Sequence, residues 1–143
     1  MASTAISGLA PSSRQKINAF QASFFIRLID ELAAEESAAG RGPFRDLGAY
    51  SRFLEGAYAC GFVCRDFLPE AFHWEVFLTN PDAVLSAPFK HVRQFVHYML
   101  RAERHADAGF ENGGGMVFEA LRSGALSKIS RRLSVEISTA WSG

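Results

Sequence analysis

The chain is poor in the residues that fix small proteins by covalent or metal chemistry. It has two cysteines in 143 residues, at positions 60 and 64, so no disulfide framework is implied and a reducing cytoplasm is the expected compartment. Net charge is also missing. Fifteen basic and fifteen acidic residues cancel, which removes any whole-molecule attraction to nucleic acid or to an anionic membrane. Met1 to Ser13 lacks a basic start and an apolar run of signal-peptide length. Nothing approaches the roughly 20 apolar residues of a helical membrane span. Nucleotide-loop, zincin, EF-hand and nucleophile-elbow patterns are absent, and the Gly113–Gly115 run lacks the Gly-Lys-Ser/Thr ending of a phosphate loop. Cys60 and Cys64 lack two further ligands at zinc spacing, since His73 and His91 match no finger pattern, and they read as two packed thiols. No metal and no cofactor is expected.

What is present is apolar and helical in period. Apolar residues make up 48% of the chain, thirteen of them Phe, which suits one domain with a real core and is too little chain for two of ordinary size. The expected organisation is a flexible tail over 1–13 followed by a single compact all-α domain of five to six helices over 14–143. Ser12 or Ser13 is placed to cap a first helix from about Arg14 to Glu36. Its apolar face (Ile17, Phe20, Phe24, Phe25, Leu28, Ile29 and Leu32) is half the circumference and calls for at least two covering elements. Ala38 to Pro43, with Gly40, Gly42 and Pro43, breaks the chain, and a second helix runs from about Asp46 to Cys60, with Gly61 beyond its end. Phe62-Val63-Cys64 reads as a buried linker, because a single strand has no partner. Pro69 opens a short helix to Thr79, and Asn80-Pro81-Asp82 starts a further turn to Leu85. After the long helix from Pro88 to about His105 come Met116 to Ser123, Gly124, and a final amphipathic helix from Ala125 to about Ser138.

The helix from Pro88 organises the rest. Phe89, Val92, Phe95, Val96, Met99 and Leu100 form one apolar arc, and Lys90, Arg93, His97, Arg101 and Arg104 form a narrower basic arc beside it. Together with Lys128, Arg131 and Arg132 of the last helix, this ridge is the candidate surface for an acidic partner or anion. Charge distribution agrees: residues 1–85 hold seven Lys/Arg against ten Asp/Glu, and 86–143 hold eight against five. With His97 in the row, binding would strengthen on acidification near the usual histidine range of about 6.5. The competing reading is a solvated face making ordinary salt bridges. A protein partner is favoured over nucleic acid, because base stacking needs aromatics on the ridge and only Tyr98 lies close to it. A homo-oligomer is the further option, since thirteen Phe strain one small core. Glu103 falls on the apolar side and must be paired, protonated or at the helix end. A structural ion pair with Arg122 is the expected arrangement. The enzymatic alternative is a hydrolase-like acid/base site around Glu103 and His105, with Asp107 and Glu111 within reach.

Ala59-Cys60-Gly61-Phe62-Val63, then Leu100-Arg101-Ala102-Glu103-Arg104-His105, then Phe118 to Leu126 and Arg131-Arg132-Leu133, resemble the bacterial domain-of-unknown-function family 6508 over roughly residues 45–135. The family's pattern usually places Phe after the Arg-x-x-Arg motif, where this chain has His105. The resemblance implies a small bacterial protein of no established activity. The leading expectation is a non-enzymatic interaction or regulatory protein. Small bacterial proteins of this kind include phage- or plasmid-encoded inhibitors of host defence complexes.

Overall fold

The computed structural model describes residues 16–39, 48–64, 75–105 and 115–142. Six α-helices stand among them, with no strand: α1 (Ala19–Ala39), α2 (Gly48–Ala59), α3 (Val76–Thr79), α4 (Phe89–His105), α5 (Met116–Ser123) and α6 (Ala125–Ser142). A 3-10 turn at Pro81–Leu85 lies between α3 and α4. The protein is a single compact all-α domain, as its periodicity predicts. No described helix is long and apolar enough to cross a membrane. Ala38 and Ala39, expected in the break, extend α1, while the tail over 1–13, the Gly40–Pro43 part of the break, the Pro69 helix start and the Gly113–Gly114 part of the glycine run fall outside the described residues.

Local chemistry sets most element ends. Helix α1 begins later than Ser12 or Ser13 would place it, because Asn18 and Gln21 form a reciprocal capping box. The Gln21 N–H donates to Asn18 Oδ1 and the Asn18 N–H to Gln21 Oε1, both at 2.8 Å. Gly61 and Gly124 carry φ of 84° and 94°, left-handed values that let α2 and α5 stop within one residue. Phe62, Val63 and Cys64 are buried irregular chain, in agreement with the linker reading.

Helix α1 packs against both α2 and α6. It meets α2 closely at Gly56, where an added Cβ would stand 2.5 Å from Leu28 Cδ1. The core contains five fully buried phenylalanines: Phe25, Phe53, Phe62, Phe77 and Phe95. Phe25 touches two of the others, with ring centroids 5.5 Å from Phe53 and 4.6 Å from Phe62, and Phe77 meets Phe95 edge-on at 5.5 Å. Coverage of α1 is incomplete, however. Phe25, Leu28, Ile29 and Leu32 are buried, but Phe24 is 36% exposed and Phe20 is 80% exposed. The expected two-sided cover therefore stops short of the first turns of α1.

Candidate functional site: the polar groups of the central helix

Helix α4 is more deeply enclosed than an amphipathic helix usually is. Val92, Phe95, Val96, Met99 and Leu100 are buried as the apolar arc predicts. Arg93 and His97, however, are also buried, at 5% and 4% exposure. The cause is the segment after α2, which runs across this side of the helix. Arg93 Nη2 donates to the Gly61 carbonyl at 2.9 Å, and the Cys64 N–H donates to His97 Nδ1 at 3.0 Å. The left-handed turn at Gly61 thus exposes a carbonyl and an amide that no helix satisfies, and α4 supplies one donor and one acceptor for them. Because Nδ1 accepts, the imidazole proton sits on Nε2. The His97 ring also meets Tyr98 edge-on at 4.9 Å.

The expected basic ridge is therefore divided. Lys90, Arg101 and Arg131 are exposed. Arg93 and His97 are committed to the 61–64 segment, so neither forms part of a partner-binding strip, and the expected histidine-driven strengthening in acid loses its place at the surface. Arg132 is likewise structural: its Nη1 donates to the carbonyls of Val84 at 2.9 Å and Ala87 at 2.6 Å, closing the end of the 3-10 turn. Its Nε pairs with Glu136 at 2.8 Å, and its guanidinium lies 5.7 Å from the Phe89 ring centre. Lys128 reaches Asp82 at 3.0 Å across the same junction. Arg104 belongs to α4, with its side chain outside the described set.

Glu103 is buried at 4% exposure, as its place on the wheel requires, and it is held differently from expectation. One carboxylate oxygen accepts a short hydrogen bond from the Tyr50 hydroxyl. The other accepts the Val117 N–H at 3.0 Å. Arg122, expected as its ion-pair partner, is exposed, and its guanidinium sits 5.4 Å from the Phe118 ring centre. The physical reason lies in α5. That helix starts at Gly115, which has no side chain to cap the first-turn amides, and Glu103 provides the missing acceptor from α4. A negative charge at a helix start is also favoured by the helix dipole. Glu103 thus joins α2, α4 and α5 through two neutral donors.

This arrangement ties three helices together. His105 closes α4 with its side chain outside the described set, so the proposed pairing of Glu103 with His105 is represented only by Glu103, enclosed between Tyr50 and Val117. Cys60 and Cys64 are both buried free thiols, and burial pushes the Cys60 thiol from 9.0 up to about 11, away from nucleophilic use near neutrality. Among the described residues no group of three His, Cys, Asp or Glu side chains is placed to hold a metal ion.

Two surface features were not singled out by sequence reasoning. The outer stripe of α1 presents Phe20, Phe24 and Arg27 on successive turns, all exposed. Phe24 and Arg27 form one bank of a shallow groove, and Arg52, Glu55 and Ala59 of α2 form the other. Arg52 spans it toward Glu31 at 3.5 Å and Glu35 at 3.4 Å. The second feature is a cavity where the starts of α1 and α4 meet the second half of α6. Comparison of the chain with protein-family models, curated proteins and solved structures finds no match.

Proposed function

We propose that this chain is a non-enzymatic interaction protein of a bacterial cytoplasm that docks a protein partner through the outer stripe of α1. The observation that carries the reading is Phe20, a large aromatic side chain left 80% exposed at the start of a helix whose inner face is buried. Isolated apolar residues on a surface need no explanation, but Phe20, Phe24 and Arg27 lie on consecutive turns of one stripe. Aromatic and arginine side chains dominate the energetics of protein interfaces. The groove beside them carries both signs of charge on Arg52, Glu31 and Glu55, which suits a polar rim around an apolar anchor. A phosphate backbone would instead favour a continuous row of cations, and the α4 row is divided by burial. Two buried free cysteines support a reducing compartment. The bacterial source in this proposal rests on the resemblance of the sequence to family 6508. A role as a regulator, or as an inhibitor of a defence complex carried on a mobile element, is the finer form of this proposal. It draws on small size and on the structural commitment of the polar groups that could otherwise do chemistry.

The test is capture from source-cell lysate with the full chain and with Phe20→Ser. The wild type should retain a specific protein that the variant loses, while both melt at the same temperature. Equal recovery by the two would remove the stripe from the interface. If the wild type sediments as a dimer and Phe20→Ser as a monomer, the partner is a second copy of the chain.

A further inference from the structure

The cavity between α1, α4 and α6 encloses about 390 Å³. That volume is within the usual size range of small-molecule pockets. Its wall is apolar: Ala22 and Leu133 are buried against it, and Phe89 and Ile137 are half-buried. Its rim is cationic, because Lys16 and Lys90 both line it and both are exposed. The carboxylate in the lining, Glu136, already receives Arg132 Nε at 2.8 Å, so its charge is locally balanced. The first turns of α1 and α4 border the same space, and their dipole ends add to the positive potential of the two lysines.

We infer that this cavity binds a small organic monoanion with an apolar body, of the aryl or medium-chain carboxylate class. The body would cover Phe89, Leu133 and Ile137, and the carboxylate would meet the two ammonium groups at the rim. Inorganic phosphate fits less well, since it offers nothing to the apolar wall and would shed hydration against it. A neutral alcohol of the same length gains the wall and forgoes the lysines. The site stands apart from the α1 stripe: the cavity lining does not include Phe20.

Calorimetric titration of the full chain with octanoate, octanol and inorganic phosphate tests the inference. Octanoate should bind saturably at one site, with octanol and phosphate each weaker by at least about tenfold, the fold-change expected for one charge-assisted hydrogen bond. The double variant Lys16→Gln/Lys90→Gln, at two exposed positions, should keep its helical circular dichroism and lose about tenfold in octanoate affinity while octanol binding is unchanged. Ile137→Trp should fill the cavity and abolish both. Amide shifts on adding octanoate should centre on Ala22 and Leu133. Octanol binding as well as octanoate, full affinity in the lysine double variant, or an absence of saturable octanoate binding would each overturn the assignment.

Discussion

The middle of α4 turns Arg93, His97 and Glu103 inward, whereas the first turns of α1 leave Phe20 and Phe24 outward. Each departs from the ordinary sorting of polar and apolar groups, in opposite directions. Each inward polar side chain has a partner within the chain: Arg93 the Gly61 carbonyl, His97 the Cys64 amide, and Glu103 the Val117 amide and the Tyr50 hydroxyl. Burial there satisfies backbone groups that would otherwise be orphaned. Among the described residues the outward aromatics have no such account. A polar group inside the protein therefore says where the fold needs a bond, and an aromatic group outside it says where the fold stops. The stripe of α1 is the better place to look for a partner.

The comparison can be broken first by using one residue type on one helix. Phe25→Ala should cost about 3–5 kcal/mol, the usual loss for a buried phenylalanine, and Phe20→Ala should stay within about 0.5 kcal/mol. Denaturant unfolding measures both, and similar losses would mean that Phe20 is covered in solution. Next in size is Glu103→Ala, which orphans the Tyr50 hydroxyl and the Val117 amide together and should cost about 2–4 kcal/mol. Adding Tyr50→Phe should recover part of that loss, because one of the two stranded donors disappears. Equal melting temperatures for wild type and Glu103→Ala would show that the carboxylate is solvated.

Within the former ridge, Arg93→Gln should destabilise by about 1–2 kcal/mol through the Gly61 carbonyl, while Arg101→Gln should change stability by less than about 0.5 kcal/mol. Equal effects would restore the ridge as one surface. The last effect appears only in base. The Cys60 thiol titrates at about 11 in the folded protein against an ordinary 9.0, so the unfolded chain releases its proton first as pH rises. The stability this represents is present in full below pH 9 and lost progressively between 9 and about 11. Subtracting the pH profile of Cys60→Ala from that of the wild type should isolate this decline, and a flat difference would place the thiol in contact with water.

How much of this could be read from the sequence depends on the range of the interaction. Helix ends at Gly61 and Gly124 follow from neighbours in the chain, and so does the Asn18–Gln21 capping box, whose three-residue spacing is a stronger start signal than Ser12 or Ser13 alone. The burial of Glu103 follows from its position on the helical wheel. Its partners do not, since Tyr50 lies 53 residues away and the need for a cap at Val117 depends on where α5 docks. The ridge failed for the same reason. A helical wheel shows that Arg93 and His97 share a strip, and says nothing about a segment 30 residues earlier crossing over them. Phe20 was assigned to the core because periodicity records which residues could face inward, while the length of the covering helices decides which ones do.

Helix α5 has only eight residues, too few to persist alone in water. Its second amide belongs to a carboxylate on α4 that also holds a tyrosine of α2. The start of α5 therefore depends on α4, which carries the acceptor for its second amide. In hydrogen exchange, the Val117 amide should therefore be released together with the α4–α5 contact and should not fray separately, making this short helix a reporter for its docking on α4.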